Sequence, residues 1–419
     1  MNPNRLYNLL CLFLLLTAGC SKSDKADPPA PPASNALISN ETNYWPAPAL
    51  SKPGYLQTVI DPTFKTKITR IVGDPGGAIP NITGSVWAQQ QLRHNYSKIQ
   101  PWNADQTMLF LNRHSPNLWL DGSTYQPLFT RNKPGSHLLW SHTEPKIMYH
   151  TGNSGNHHLG KWDVVADVST ELIDLRNYAS CTFGEGEGNF NKNGNKVAVY
   201  GKRISDNKYV LFVVDVVART KGTDIEITDM DNCTMSSSGD YIIIGHGNDE
   251  IKVLRTSDGS TVWSDTRYGM PSHFDVQVDQ NGDEVVAGVG KTSPYSGQVI
   301  KRKLSDGSIT VLVNKGYASH TSGRNINRPG WIYVTYSNLS TGYLPYINEL
   351  VAVKLDGTKV ERLCNIRVDK SLFTTPSDQY LAEAHGCPSP DGRRMIFASD
   401  WNKGDFPVQA YVVDFRDKD

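Results

Sequence analysis

A turn followed by a short β-rich run recurs seven times along this chain, and the repeat restricts the fold more than any other feature. The turns contain Gly, Asp, Asn or Pro, and the runs are alternating or continuously apolar, as in buried strands. Successive runs lie about 40 to 60 residues apart, which is the spacing of four-stranded β-propeller blades. The seven runs are Met108–Phe110, Ile147–Tyr149, Val197–Val199, Tyr241–Ile243, Val285–Ala287, Trp331–Tyr333 and Met395–Phe397.

The repeat predicts an all-β fold, a seven-bladed β-propeller, over residues 51–419. One four-stranded sheet cannot cover both of its faces, whereas sheets arranged in a ring cover one another. The seventh unit offers two apolar runs, Met395–Phe397 and Tyr411–Phe415. We therefore expect the early run Lys67–Val72 to supply its outer strand and close the ring. A β-helix would need a shorter repeat, and a sandwich would not explain seven similar units.

The N-terminal residues have the pattern of an export signal. An apolar run, Leu6–Leu16, is followed by Leu16-Thr17-Ala18-Gly19-Cys20, in which small residues precede a cysteine as in a bacterial lipobox. We predict a lipoprotein signal peptide over residues 1–19, lipidation of Cys20 and a flexible Pro-rich tether over residues 20–50. The protein is then exported and lipid-anchored to the bacterial outer membrane, on either its periplasmic or its outer side. A simple secretory signal with a chance cysteine is the alternative.

Charge and cysteine content exclude some classes of partner and leave others open. The 42 basic residues balance 42 acidic ones, so the chain has no overall field for phosphate backbones and we expect no nucleic-acid partner. We also expect a monomer. The four cysteines beyond Cys20 do not form a CxxC pair, so disulfides and free thiols both remain open: Cys181, Cys233, Cys364 and Cys387.

Histidines are concentrated where the predicted blades begin. In a propeller, the innermost strand of each blade starts near the mouth of the central channel, and five of the seven starts carry His, although the whole chain has only 11. Loops between the second and third strands return to the same face. From these positions we predict substrate contacts for His137, Glu187, His246, His273, His320, Arg324, Tyr336 and His385. The alternative for any single His is a structural hydrogen bond within its blade.

A face rich in His and cations suits an anionic ligand, and imidazole can act as acid or base near neutral pH. One fitting reaction is β-elimination on a uronic acid polymer. It needs a cation to neutralise the carboxylate, a base for the C5 proton and an acid for the leaving oxygen. The other is metal-assisted hydrolysis at a multi-His site. The sequence contains neither an H-E-x-x-H motif nor a G-x-S-x-G nucleophile elbow.

The stretch from Arg93 to Asp105, RHNYSKIQPWNAD, resembles the first-blade motif of propeller-fold polysaccharide lyases, especially the ulvan lyases. The resemblance implies catalytic roles for His94 and His114, and for Arg203 as the group that neutralises the carboxylate. The tyrosine of those enzymes does not carry over, because Gly186 stands in its place. The base could therefore be His94 or His114, or a tyrosine that reaches in from elsewhere: Tyr96 or Tyr336.

The resemblance also implies that no cofactor is required for the chemistry, although some relatives carry a structural metal ion. Zn or Ca is the expected ion, and Cys233, His385 and Cys387 are conceivable ligands. The leading hypothesis is a lyase that cleaves a uronic-acid-containing, sulfated, ulvan-like polysaccharide. The alternatives are a non-catalytic propeller lipoprotein that binds a glycan or a protein, and a metal-dependent hydrolase.

Overall fold

The computed structural model describes residues 35–418 except 90, 153–156, 229, 247–249, 269–270, 338–343 and 405–406. The predicted signal peptide, the lipidation site Cys20 and the first part of the predicted tether lie outside the described residues. Among those that are described, no helix combines the length and apolarity needed to cross a membrane.

The predicted tether is not free over its described part. β1 (Ile38–Ser39) pairs antiparallel with a strand near the C-terminus, Ile38 lying opposite Arg362. The indole ring of Trp45 lies 4.1 Å from the Arg362 guanidinium carbon. Packing on the folded body thus begins near Leu37, which is buried, and not at the predicted boundary of residue 51.

Seven antiparallel sheets follow one another along the chain, which confirms the seven-bladed propeller. Two further N-terminal strands precede the first blade, β2 (Thr58–Ile60) and β3 (Lys67–Arg70). Blades 1 to 3 contain β4 (Met108–Leu111), β5 (Asn117–Asp121) and β6 (Pro127–Arg131); β7 (Ser136–Trp140), β8 (Ile147–Thr151), β9 (His158–Asp163) and β10 (Val168–Asp174); β11 (Tyr178–Phe183), β12 (Lys196–Arg203), β13 (Tyr209–Asp215), β14 (Thr220–Lys221) and β15 (Ile225–Glu226).

Blades 4 to 7 complete the ring. Their strands are β16 (Asn232–Met235), β17 (Tyr241–Gly245), β18 (Ile251–Arg255) and β19 (Thr261–Asp265); β20 (Ser272–Val278), β21 (Glu284–Val289), β22 (Val299–Lys303) and β23 (Ile309–Val313); β24 (His320–Ser322), β25 (Trp331–Tyr336), β26 (Glu349–Lys354) and β27 (Val360–Asn365); β28 (Cys387–Pro388), β29 (Arg394–Ser399) and β30 (Gln409–Asp414). Among the described residues, one short helix, α1 (Pro376–Leu381), and a 3-10 turn at Lys370–Leu372 lie between β27 and β28, and a 3-10 turn at Gly184–Gly186 follows β11 in blade 3.

Six of the seven predicted runs form the second strand of their blade, next to the innermost strand. The run Met108–Phe110 lies in β4, the first of the three strands of blade 1, where Trp102 forms an isolated bridge to Leu109. The ring closes as predicted, because β3 is the fourth strand of blade 7 and pairs with β30, with Ile68 opposite Val413. The side chain of Ile68 is fully buried. A segment from the N-terminal end therefore joins the C-terminal blade through both backbone hydrogen bonds and apolar packing.

A β-bulge turns the first residues of some innermost strands towards the channel mouth. On β7 the bulge lies between Ser136 and Leu139, and on β20 it lies between Ser272 and Asp275. His137 and His273 occupy the bulges with φ of 49° and 52°, and His385, just before β28, has φ of 46°. His tolerates this left-handed conformation better than most residues do. The repeat thus presents imidazoles on one face.

The four cysteines of the described chain are buried and free, which settles the alternative left open by their spacing.

Candidate functional site

Three histidines from neighbouring blades meet at the mouth of the channel. His273, His320 and His385 come from the inner-strand starts of blades 5, 6 and 7. The ring centroids of His273 and His320 are 4.1 Å apart, and those of His320 and His385 are 4.4 Å apart. We call these three residues the imidazole cluster. The structure thus brings together side chains from three blades, the first and last of which, His273 and His385, are more than 100 residues apart in the sequence.

The segment that leads into blade 1 covers this cluster. The hydroxyl of Tyr96 lies 3.0 Å from Nδ1 of His273, and its ring centroid lies 4.8 Å from that of His385. Nε2 of His94 lies 2.6 Å from the backbone oxygen of His385. Because a carbonyl oxygen can only accept, His94 Nε2 is the donor. His94 therefore holds the His385 backbone, while Tyr96 contacts the imidazoles themselves.

Burial keeps the imidazoles neutral. Desolvation lowers the pKa of His273 to about 4 and that of His94 to about 3. It also lowers the pKa of His320 and His385 well below the usual range, with a further contribution from the neighbouring imidazoles. Neutral rings at neutral pH leave one nitrogen lone pair each for a proton or a metal ion.

Glu383 completes a group with the donor set of a metal site. One of its carboxylate oxygens lies 3.5 Å from Nε2 of His320 and 3.5 Å from Nε2 of His385. The donor atoms of the three residues all lie within 4.8 Å of one another. The other carboxylate oxygen is 2.6 Å from Nζ of Lys370, which leaves the first oxygen directed at the rings. We call His320, Glu383 and His385 the metal-ligand group.

The metal-ligand group passes a test of fit for a divalent cation. Nε2 of His320 is buried but has no hydrogen-bond partner among the described residues, and an unpaired buried polar atom is unfavourable unless something binds it. Two imidazole nitrogens with one carboxylate form a donor set that suits first-row transition metals and zinc. Arg93 holds the backbone of Glu383 in place, because its Nη1 donates a hydrogen bond to the Glu383 backbone oxygen at 2.6 Å.

The predicted ligands Cys233 and Cys387 are not in this group. Cys233 is fully buried in the core of blade 4, and Cys387 is fully buried beside Ile99. Burial raises the pKa of each thiol to about 12, which disfavours the thiolate that a metal would need. His385 is the one predicted ligand that belongs to the group.

A buried lysine, Lys98, follows Tyr96 by two residues. Lys98 forms an ion pair with Glu187, and its Nζ lies 4.9 Å from the ring centroid of Phe274. Glu187, predicted to contact substrate, is half-buried, whereas Lys98 is almost fully buried. The pair therefore places one accessible carboxylate beside the imidazole cluster, with its charge balanced by Lys98.

The structure does not bring His114 to the cluster. Nε2 of His114 accepts from the backbone N–H of Ala88 at 3.2 Å, and Nδ1 donates to the backbone oxygen of Pro116 at 2.6 Å. With both ring nitrogens occupied, His114 holds two loops together. Its surroundings give no support to the role that the motif implied.

Arg203 also lies apart from the cluster. Its guanidinium contacts three carboxylates, those of Asp206 at 2.6 Å, Asp224 at 3.1 Å and Glu226 at 2.7 Å. The nearby acids neutralise its charge, and among the described residues it forms no hydrogen bond or ion pair with an imidazole. Its proposed task of neutralising a substrate carboxylate therefore has no structural basis here.

The other predicted contacts lie at separate places in the fold. Tyr336 is buried in blade 6 against Tyr346, with ring centroids 5.3 Å apart. Arg324, two residues after β24, forms a buried ion pair with Asp275. His246 is buried at the end of β17, and its Nε2 has no hydrogen-bond partner among the described residues. His137 is exposed and lines a cavity between blades 1, 2 and 3.

Two residues of the site were missed by the sequence analysis. Lys98 lies inside the quoted RHNYSKIQPWNAD motif, two residues after Tyr96, so the alternation of that segment could have identified it. Glu383 lies two residues before His385, in a segment with no strand pattern, and its Glu-x-His spacing was the available signal.

Solved structures share this fold. A crystal structure of oligogalacturonate lyase from Vibrio parahaemolyticus matches with a TM-score of 0.58 at 12% identity, covering 90% of this chain and 98% of that one. An oligogalacturonate lyase in complex with manganese matches with a TM-score of 0.62 at 12% identity, again covering 90% and 98%. The sequence matches no protein-family model and no curated protein. The chain thus has the propeller fold of these lyases, which are not the ulvan lyases that its first-blade motif resembles.

Proposed function

We propose that this protein is a metal-dependent polysaccharide lyase that cleaves a uronic-acid-containing chain by β-elimination. The observation that carries the proposal is the imidazole cluster at the channel mouth, with Tyr96 on one side and Glu383 on the other. It offers neutral proton acceptors, a phenol and a metal donor set within one site. The shared propeller fold of two oligogalacturonate lyases, one of them in complex with manganese, supports it.

His320, Glu383 and His385 would hold the metal ion. A divalent ion bound there would act as a Lewis acid towards the uronate carboxylate, which makes the adjacent C5–H more acidic. This differs from the expectation of a structural Zn or Ca ion, because the metal-ligand group lies next to the half-buried Tyr96 and His273. Lys370 orients the Glu383 carboxylate through its second oxygen, as outer-shell partners of metal ligands commonly do.

Tyr96 and His273 are the residues that move protons. Both are half-buried, whereas His320, His385 and His94 are buried, so a sugar ring at the mouth meets Tyr96 and His273 first. His273 removes the C5 proton, and the electron pair of that C–H bond forms the C4–C5 double bond as the C4–O bond breaks. The Tyr96 hydroxyl, 3.0 Å from His273, gives the leaving oxygen its proton and regains one from the imidazole.

The proposed substrate class is an anionic polysaccharide or oligosaccharide that contains uronic acid. Oligogalacturonate is the first substrate to test, because of the two lyases that share the fold. Ulvan is the second, because of the first-blade motif. A sulfated polymer would use additional cations on the same face, and the cavity beside His137 offers them.

The test is the absorbance of the unsaturated product. The protein is incubated with polygalacturonate, its oligomers, ulvan, alginate and glucuronan, with Mn²⁺ or after treatment with a chelator. We expect absorbance to rise on at least one substrate, to be lost on chelation and to return with metal. His273→Ala should abolish the rise, whereas His158→Ala, a matched change in blade 2, should retain it. No rise on any uronate polymer contradicts the proposal.

A metal-dependent hydrolase is the second candidate, because the same His320, Glu383 and His385 group would hold a divalent ion, which would supply Lewis-acid chemistry for hydrolysis. Hydrolysis adds water across the glycosidic bond and creates reducing ends without a double bond. Reducing ends that appear without absorbance, and vanish on chelation, would favour this candidate over the lyase.

We also propose that the protein acts as an exported monomer anchored to the bacterial outer membrane by a lipid on Cys20. The lipobox-like sequence before Cys20 supports this. The variant Cys20→Ser should move the protein from the membrane fraction to the soluble fraction of the exporting cell. A variant that fractionates as the wild type does would contradict the anchor.

A further inference from the structure

A cavity of about 260 Å³ lies between blades 1, 2 and 3, apart from the metal-ligand group. Its walls come from the β4–β5 loop, the start of β7 and the turn that contains Gly186. In each blade the end of the second strand lies beside the start of the innermost strand, on the face where the imidazole cluster lies. Because the cavity is lined by residues at these strand ends, it opens on that same face. Its volume is just below the range of about 300–1,000 Å³ for drug-sized ligands and suits about one sugar residue.

The cavity is cationic. Arg113, Lys133 and His137 line it, and its lining contains no carboxylate. Nε of Arg113 donates to the amide oxygen of Asn95 at 3.0 Å, a neutral acceptor that fixes the guanidinium without cancelling its charge. Among the described residues, neither Arg113 nor Lys133 forms an ion pair, in contrast to Arg203. The cavity therefore retains two positive charges for an incoming group.

His137 is aimed into this cavity by the same device that aims His273 at the imidazole cluster. Both residues sit in a bulge at the start of an innermost strand with a positive φ. Gly186 faces the His137 ring, and a Cβ at position 186 would lie 3.1 Å from a ring carbon. A tyrosine at position 186 would therefore press on His137. The departure from the lyase motif leaves room for an additional histidine and opens the cavity.

The cavity and the imidazole cluster share one segment. Tyr96 contacts the imidazoles, while its neighbour Asn95 lines the cavity together with Ile99. Asn112, Asn117 and Ser136 add uncharged polar groups to the lining, and amides and hydroxyls suit sugar hydroxyls. A chain of sugars across the mouth would thus meet the two places in succession.

We propose that this cavity is a second sugar subsite that binds the acidic substituent, carboxylate or sulfate, of a residue next to the one at the imidazole cluster. Arg113 and Lys133 bind the anionic group, and Asn95 positions Arg113. The inference rests on the proposed function for the nature of the chain, but the cavity's preference for an acidic sugar can be measured without turnover.

The experiment is a calorimetric titration of the full-length protein carrying His273→Ala, at fixed ionic strength. One arm uses trigalacturonate and its methyl ester, and the other uses a sulfated ulvan tetrasaccharide and its desulfated form. Lys133→Gln and Arg113→Gln are added in turn. Lys303→Gln is the matched control, because Lys303 lies on blade 5 in a pair with Asp283 and its loss changes the net charge equally.

We expect Lys133→Gln and Arg113→Gln each to weaken binding of an acidic probe about tenfold, as the loss of a charged hydrogen bond predicts. The neutral counterpart should bind weakly and respond little to either change. The arm that responds identifies carboxylate or sulfate. Equal effects from Lys303→Gln, unchanged affinity in the cavity variants, or failure of every acidic probe to bind would overturn the proposal.

The two proposals can fail separately. If the wild type forms unsaturated product but binds acidic probes equally well without Arg113 or Lys133, the lyase proposal stands and the subsite proposal is wrong. If binding of acidic probes depends on both residues but no polymer gives unsaturated product, the subsite proposal stands and the lyase proposal is wrong. Melting temperatures near that of the parent protein would show that each variant is folded.

Discussion

Closure of the ring by β3 predicts a large and specific loss of stability when Ile68 is shortened. The change Ile68→Ala removes three carbons from a fully buried side chain. At about 0.8 kcal/mol per buried methylene the transfer contribution is about 2.4 kcal/mol. The space left behind raises the expected loss to about 3–4 kcal/mol, because a packed core relaxes only in part. Ile60 on β2 is the matched control, since it is 50% exposed, and its loss should be below about 1 kcal/mol.

The assay is urea unfolding followed by tryptophan fluorescence. If β3 is an integral strand of blade 7, Ile68→Ala lowers the midpoint and leaves a single transition with an unchanged slope. A loss as small as that of Ile60→Ala would refute the reasoning. A second, earlier transition would also refute it, because it would mean that β3 leaves while the other blades remain folded.

Three further changes test the site and its surroundings. Glu383→Ala should weaken Mn²⁺ or Zn²⁺ binding at least about tenfold in a metal titration, because it removes one of three donors; unaltered affinity would place the metal elsewhere. Arg203→Gln should keep turnover within about twofold of wild type, since three carboxylates already neutralise its charge; abolished turnover would restore the role that the motif implied. Burial lowers the pKa of His150 to about 4, so the stability that its neutral ring provides is complete above about pH 6.5 and is lost as pH falls towards 4. His150→Gln should reduce the change in the free energy of unfolding between about pH 6.5 and pH 4. An unchanged pH dependence would show that burial of His150 does not cause this loss of stability.

The fold was predictable because its signal is repeated. Seven turn-and-strand units carry the same information, and Lys67–Val72 was the available run for the open blade. The pairing of Ile38 with Arg362 was not predictable in this way. It depends on the unpaired edge strand of blade 6, which lies more than 300 residues away. A strand of two residues is too short to show a periodic pattern in the sequence.

The candidate site was predictable only where the fold itself sets the position of a side chain. His273, His320 and His385 begin innermost strands, so their common location follows from the ring. The roles of the other predicted residues depend on contacts with residues distant in the sequence. Asp224 and Glu226 form ion pairs with Arg203, and the backbone N–H of Ala88 donates to His114. A motif names such residues but does not say what contacts them.

The left-handed backbone at positions 137, 273 and 385 limits what this mouth can become. A β-branched or bulky side chain is strongly disfavoured there, whereas Gly, Asn, Asp and His are tolerated. Any descendant that keeps the bulges must therefore draw its new specificity from that short set of residues, or change the loops around them. A library of variants built for altered substrate preference would gain most from varying Lys133 and Arg113, because the backbone there is not left-handed and accepts any side chain.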